Sequence, residues 1–400
     1  MKYRKLSADK IFDGYMFREA SVLVVTEGGI IENIIPVDEA GEEVESFAGI
    51  LSPGFINCHC HLELSHMKGR IPEKTSLVDF VFKVVTERHH SEDEILKAIE
   101  DAEEQMFRNG IVAVGDICNN AFTLIQKQKA RLQYYNFVEA SGWLPSMSQG
   151  RFDRAKEIFN LYAISDSRPP APDAERLARH CSIVPHAPYS VSENLWQQIQ
   201  PYFKNKVVSI HNQETRSEDE FFLEGTGDFK RMYRLMNIDN SHHQPTKKTS
   251  LQSYFGKLEG AANVILVHNT YTKQEDVTYV KQTKGGNGQL GEGPFFCLCI
   301  NANLYIENAL PPIELLRKNS CSIVLGTDSL ASNWSLSIAD ELKTIRSHYP
   351  EIPMTEMLRW ATSNGAKALQ MDDRLGSFEK GKRPGVILMD ESTIAARRIA

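Results

Sequence analysis

The chain has 400 residues, 42% of them apolar and 24% charged, an ordinary globular mix without the signature of disorder. Its 52 acidic and 45 basic residues leave a formal net charge of −7, which argues against nucleic acid and against an anionic membrane surface as partners. No run of about eighteen apolar residues predicts a membrane span, and seven cysteines with no signal-like N-terminus point to reduced thiols and a cytoplasmic protein.

Residues 1 to 50 read as short alternating pieces, such as SVLVVTEGGIIENIIP, broken by glycine turns, and predict β-structure. Eight short apolar or β-branched runs follow, each ending in polar residues: GILSPGFINCH, GIVAVGDI, LQYYNFVEA, HCSIVPHAPYS, KVVSIHNQE, NVILVHNT, PFFCLCINAN and CSIVLGTDS. Segments with helical spacing lie between them, including EDEILKAIEDAEEQMFRNG and PPIELLRKN, closed by Gly110 and Asn319. Residues 236–253, MNIDNSHHQPTKKTSLQS, form a polar excursion that is either surface loop or a lid over the rim. The tail LGSFEKGKRPGVILMD returns to the β-pattern of the N-terminus. Near-continuous apolar strands alternating with helices predict a closed parallel (β/α)8 barrel of the TIM type over residues 51–370. The two termini, 1–50 and 371–400, are expected to join as a small β-sandwich.

The polar residues fall at one place in this pattern. His59, His61, Asp116, Glu139, His186, His211, His268 and Asp328 all sit at or just after the C-terminal end of a predicted strand. In a parallel barrel that rim carries the active site.

The densest cluster is NCHCHLELSHMKG, residues 57–69. On a regular strand His59 and His61 point to the same side and can grip one metal, while Cys58 and Cys60 face the helical shell as small apolar groups. A structural zinc site would need a second cysteine pair, and CLC at 297–299 has one intervening residue rather than the usual two to four. Further ligand-type residues arrive on later strands: His211 ends VVSIH, His268 ends VILVH and Asp328 ends IVLGTD. Nitrogen and carboxylate donors without thiolates suit zinc or ferrous iron with one position left for water. Glu214, three residues after His211, can return over the mouth to move protons, or stand as a first-turn glutamate favoured by the helix dipole. Asp328 can likewise serve as a helix cap.

At this point the chain resembles the amidohydrolase superfamily, in the branch of cytosine, guanine and nucleoside-type deaminases and triazine hydrolases. The likeness spans nearly the whole chain, through PGFINCHCH, PHAPYS, HNQET, LVHN and LGTDSLASN in order; HLELS and GTDSLASN also resemble aminodeoxyfutalosine deaminases. The resemblance implies one divalent metal, zinc or else iron, on His59, His61, His211 and Asp328. It implies proton transfer by Glu214, and His268 beside the attacked carbon's substituent or the nucleophilic water. His186 matches a substrate-contacting position. Many relatives carry Cys-Pro-x-Ser-Asn on the seventh strand; here Cys299, Ile300, Asn301, Ala302 and Asn303 keep only the cysteine and asparagine. Asn303 is expected against substrate, and Glu63 either binds substrate or is a buried hydrogen-bond partner. No barrel-strand lysine is placed for carbamylation, so one metal is expected rather than two.

The implied activity is hydrolysis of a non-peptide C–N bond in a small molecule, by deamination of an amino-substituted heterocycle, with Asp328 also receiving the proton of water. The alternatives are a hydrolase of the same fold releasing chloride or opening a cyclic amide, and an inactive metal-binding protein. Arg151 and Arg154 offer themselves as anion anchors but are expected at the solvated surface. A homodimer is what the family suggests.

Overall fold

The structure is a computed structural model and describes residues 2–165, 180–283 and 293–400. The N-terminal segment builds β1 (Tyr3–Phe12), β2 (Phe17–Arg18), β3 (Ser21–Thr26), β4 (Ile31–Pro36) and β5 (Val44–Pro53). Strands β3 and β4 pair antiparallel, with Leu23 opposite Ile34. Their turn closes with Thr26 N–H donating to the Ile30 carbonyl at 2.9 Å, and Gly29 takes a φ of +80° that a side chain would resist.

Eight strands follow, one for each predicted run: β6 (Phe55–Cys60), β7 (Ile111–Ile117), β8 (Gln133–Ala140), β9 (Cys181–Pro185), β10 (Val207–Asn212), β11 (Asn263–His268), β12 (Phe295–Leu298) and β13 (Ser322–Leu325). They pair in parallel as two four-stranded sheets, β6-β7-β8-β9 and β10-β11-β12-β13. Hydrogen bonds join the sheets at both seams. The Thr327 and Asp328 N–H groups both donate to the His59 carbonyl at 3.0 Å, beside a parallel bridge between Cys60 and Asp328. At the other seam, His211 N–H donates to the His186 carbonyl at 3.0 Å.

The C-terminal β14 (Val386–Met389) and β15 (Ala396–Arg398) return to the first strands, giving one seven-stranded sheet in the order β15-β14-β5-β1-β3-β4, with β2 on β1. Both chain ends thus share one sheet. A small core of Leu6, Leu23, Val25, Leu51, Phe378 and Val386 fills its inner face.

The helices between parallel strands follow from their sequences. In Glu92–Arg108, Ser91 caps the start by accepting from Glu94 N–H, three acidic residues occupy the first turn and Arg108 the last. Ile95, Ile99, Ala102 and Met106 are buried at helical spacing, and Gly110, at a φ of +84°, follows the stop. The main core runs between sheets and helices. A separate apolar cluster, including Met67, Leu77, Tyr189, Phe221, Phe229 and Ala331, packs among the segments that follow β6, β9, β10 and β13, the strand ends that carry the site. The 236–253 segment lies against it. Met236 and Ile238 pack onto the cluster, Asn240 Oδ1 accepts from Trp143 Nε1 at 2.7 Å, and His243 stacks on Phe221 at 4.0 Å.

One residue, Gly54, separates β5 from β6. A Cβ there would lie 2.2 Å from Val112 Cγ1 and 2.9 Å from the Pro384 carbonyl oxygen, so the terminal sheet and β7 close on bare backbone. Gly54→Ala is expected to lower the unfolding free energy by about 1–3 kcal/mol in urea denaturation; an unchanged midpoint would show that Val112 and Pro384 yield without strain.

Candidate metal centre and active site

His59 lies in β6, a strand buried along its whole length, and His61 follows its last residue. The two-residue spacing turns both rings the same way, placing their Nε2 atoms 3.2 Å apart. Cys58 turns the other way, its Sγ 3.8 Å from the Gly365 carbonyl in the surrounding helices. His211, near the end of β10, brings its Nε2 to 3.4 Å from His61 Nε2. Asp328, three residues past β13, presents Oδ1 at 3.5 Å from His59 Nε2 and 3.4 Å from His61 Nε2. These four residues offer ligand atoms that all lie within 4.8 Å of one another, and all four are buried.

Burial pushes the His61 imidazole down to about 3, and His211 well below its ordinary value, because a charged ring is not solvated there. Burial acts on Asp328 in the opposite sense, but its hydrogen bond to His59 and the neighbouring rings hold its carboxyl well below the usual range. His61 and His211 therefore stand as neutral imidazoles beside an ionised carboxylate. A neutral His61 has at most one Nε2 proton, yet that atom faces His59, His211 and Asp328 together. Converging lone pairs with too few protons to share are what a divalent cation satisfies, and the donor set fits zinc.

The remaining atoms of these ligands are held from behind. His211 Nδ1 lies 2.7 Å from the His186 carbonyl oxygen, to which it donates, leaving Nε2 free for a metal. Ser332 Oγ donates to Asp328 Oδ2 at 2.6 Å, leaving Oδ1 toward the histidines. Glu139, His186 and His211 form a second group of possible ligands. It shares His211, whose Nδ1 is already committed to a carbonyl, so the geometry favours a single ion in the first group.

Across the site stand Glu214 and His268, with His268 Nε2 3.6 Å from Glu214 Oε1. Burial, then the charges of Asp328, Glu218 and Glu307, raise the Glu214 carboxyl well above its ordinary value. Glu218, one turn along, accepts from the Glu214 and Gln213 N–H groups at 2.7 and 3.0 Å and so fixes the backbone under Glu214. His268 Nδ1 pairs with Asn303 Oδ1 at 2.8 Å, so that amide oxygen is engaged with His268. His268 and Asp328 hold φ values of +74° and +57°, a left-handed backbone that persists only where the surroundings over-determine it.

Glu63 is buried, and its Oε2 accepts from Asn119 N–H at 3.0 Å. The same Asn119 donates through Nδ2 to Glu139 at 3.0 Å. Burial pushes these two carboxyls up, to about 7 and about 8. His186 Nδ1 pairs with Ser190 Oγ at 2.7 Å while its ring packs on His211 at 4.8 Å between centroids. Arg154 is an exposed ion-pair partner of Glu157, and Arg151 is exposed as well.

Several supporting residues have no distinctive mark in the sequence. Asn119, Glu218 and Ser332 each follow a rim residue by a few positions, where an asparagine, a first-turn glutamate or a serine also serves as an ordinary cap. Asp116, noted at a strand end, lies beneath the metal ligands. Its Oδ1 accepts from Leu62 N–H at 2.9 Å, the residue after His61, and its Oδ2 lies 2.5 Å from Lys127 Nζ. Lys127 also reaches Asn136 Oδ1 at 2.8 Å and lies 4.9 Å from the rings of Tyr134 and Tyr162. Burial alone would depress its ammonium; Asp116 holds it above its ordinary value, so this lysine is no free amine for carbamylation. Lys127→Met is expected to destabilise the fold by about 3–5 kcal/mol, because Asp116 is left as an uncompensated buried charge. Chemical denaturation measures it, and a loss under about 1 kcal/mol would show that water reaches the pair.

A model of the amidohydrolase family matches residues 50–398. A 5-methylthioadenosine/S-adenosylhomocysteine deaminase of Teredinibacter turnerae is 25% identical over 398 residues, covering 94% of this chain and 80% of the relative. Among solved structures, the aminofutalosine deaminase of Helicobacter pylori in complex with methylthio-coformycin superposes with a TM-score of 0.79 at 22% identity, over 97% of this chain and 92% of that one. An adenosine deaminase from Xanthomonas campestris with bound zinc gives 0.69 at 20% identity, over 97% and 84%. With the family model spanning most of its length, the chain belongs to the amidohydrolase family.

Proposed function

We propose that the protein is a zinc-dependent aminohydrolase that replaces the exocyclic amine of a purine, pyrimidine or nucleoside-type heterocycle with oxygen and releases ammonia. The observation that carries this is the meeting of His59, His61, His211 and Asp328 at one point, with Glu214 and His268 alongside. Relatives named as deaminases of 5-methylthioadenosine/S-adenosylhomocysteine and of adenosine support the substrate class.

In this reading the three histidines and Asp328 hold one divalent ion, which when bound acidifies water toward a pKa of about 7. Asp328, its Oδ2 kept anionic by Ser332, takes the proton that water gives up on attack. Glu214, whose carboxyl burial raises well above its ordinary value, delivers a proton to the ring nitrogen beside the attacked carbon. The tetrahedral carbon then expels its amine, which takes the proton from Asp328 and leaves as ammonia, while the new hydroxyl returns its proton to Glu214 and His268, oriented by Asn303, stabilises the charge that develops. His186 and Glu63 line the substrate side, and Asn303 acts on the substrate through His268.

The same reading completes the architecture. The two parallel sheets are the halves of one closed eight-stranded barrel over residues 51–370, and residues 1–50 with 371–400 form a small domain whose sheet folds over as a sandwich. The hydrogen bonds from the residue 327 and 328 N–H groups to the His59 carbonyl, and from the His211 N–H to the His186 carbonyl, support closure. Among the described residues no helix is long and apolar enough to cross a membrane. Among the described residues the cysteines form no disulfide, which supports a reducing compartment, the cytoplasm.

Ammonia release from a panel of purines, pyrimidines and adenosine-type nucleosides, with a chlorotriazine and a cyclic amide as controls, tests the assignment. Activity should vanish on chelation and return with zinc. Glu214→Gln should lower kcat by about 10²–10⁴-fold while the metal content stays at that of the wild type. Chloride release or ring opening without ammonia would replace the deaminase reading, and full turnover in the variant would remove Glu214 from proton transfer.

A further inference from the structure

Glu341 lies in the helix Ile338–His348, after the last parallel strand, and is fully buried. Buried carboxylates are rare without partners, and this one is surrounded by donors. Its Oε2 accepts from the Asn301 N–H at 3.1 Å, and its Oε1 accepts from Asn333 Nδ2 at 3.0 Å. These donors belong to two different rim segments. Asn301 opens the helix Ile300–Ile306, which carries Asn303 and through it orients His268. Asn333 Nδ2 also donates to the Thr327 carbonyl at 2.7 Å, the peptide directly before Asp328. One turn further along the helix, Thr344 Oγ1 donates to Asn301 Oδ1 at 2.7 Å, so Asn301 is gripped at both backbone and side chain.

We propose that Glu341 is a positioning residue that registers Asp328 against His268, by tying the segment after β12 and the segment after β13 to a single carboxylate. It touches neither ligand nor reacting atom; it sets the distance between them. Both residues carry left-handed backbone, which neighbours must impose, and Glu341 reaches the surroundings of each through two hydrogen bonds. Its hydrogen-bond partners at Oε2 and Oε1 are N–H groups, so two acceptor oxygens satisfy them, and a glutamine, with one, cannot. Its amide nitrogen would face either Asn301 N–H or Asn333 Nδ2, donor against donor. This inference rests on the roles proposed above for Asp328 and His268.

The test compares Glu341→Gln, Asn333→Ser and Thr344→Val in the full chain. It measures zinc affinity by competition with a chromophoric chelator, the thermal transition, and kcat and KM on whichever panel compound yields ammonia. Glu341→Gln, folded, should bind zinc about tenfold more weakly and lose about tenfold or more in kcat, with KM within about twofold of the wild type. Asn333→Ser cuts the link to Asp328, together with the Ser335 N–H bond on the same side chain, and should weaken zinc; Thr344→Val loosens Asn301 and should lower kcat with zinc affinity unchanged. A folded Glu341→Gln with wild-type zinc affinity and kcat overturns the proposal. So does an Asn333→Ser variant that keeps its zinc affinity, which decides the matter if Glu341→Gln fails to fold. If the wild type releases ammonia from nothing in the panel, the deaminase reading fails, while zinc affinity still decides the part played by Glu341.

Discussion

The site depends on keeping three imidazoles and one carboxylate dry while their lone pairs point at one another. In water such a set would disperse or protonate. Here burial disfavours the charged forms of His61 and His211, while the hydrogen bond to His59 and the neighbouring rings hold the Asp328 carboxyl low. The result is a net negative, lone-pair-rich point with nothing but a cation to satisfy it. The rest of the architecture can be understood as the means of holding that unfavourable arrangement in place. Parallel strands bring residues as far apart in sequence as 59 and 328 to neighbouring strand ends, and the backbone bonds from residues 327 and 328 to the His59 carbonyl lock the first and last of them together.

A second tier of contacts determines which atom of each ligand faces inward. The His186 carbonyl commits His211 Nδ1, Ser332 commits Asp328 Oδ2, and Asn303 commits His268 Nδ1. In each case a neighbour takes one end of a two-ended side chain and thereby selects the other, as outer partners of metal ligands do. Buried carboxylates recur in this tier. Glu218 under Glu214, Glu341 behind Asp328, and Asp116 beneath His61 all accept backbone N–H groups from segments that bear site residues. A carboxylate with two oxygens can join two such segments, which a hydroxyl or a single carbonyl does less firmly.

The wall formed by Glu63, Asn119, Glu139 and His186 has a different character. Its carboxyls are pushed up to about 7 and 8 by burial and share one asparagine. It lies beside His211 rather than among the converging atoms of the first group. The apolar cluster around Phe221 and Tyr189, with the 236–253 segment packed on it, supplies the complementary apolar surface at the rim.

Much of this was legible in the residues alone. Seven of the eight parallel strands lie within the runs predicted for them and β6 ends one residue past its own, because buried parallel strands are short, β-branched and bounded by polar residues, a signal that needs no tertiary knowledge. His59 and His61 share a side because a strand has a period of two; polar residues at strand ends offer His211, His268 and Asp328 as partners, and the resemblance to the amidohydrolase superfamily implies His211 and Asp328 among them. Tertiary structure decided what period and spacing cannot encode. It decided that Asn303 faces His268, that Glu63 lies against Asn119, and that Glu218, Ser332, Lys127 and Glu341 support the site, since each depends on contacts between segments far apart in the chain or on a choice between two atoms of one side chain. Local pattern reports which face a residue takes; only the closed packing of the whole chain fixes which neighbour it meets there.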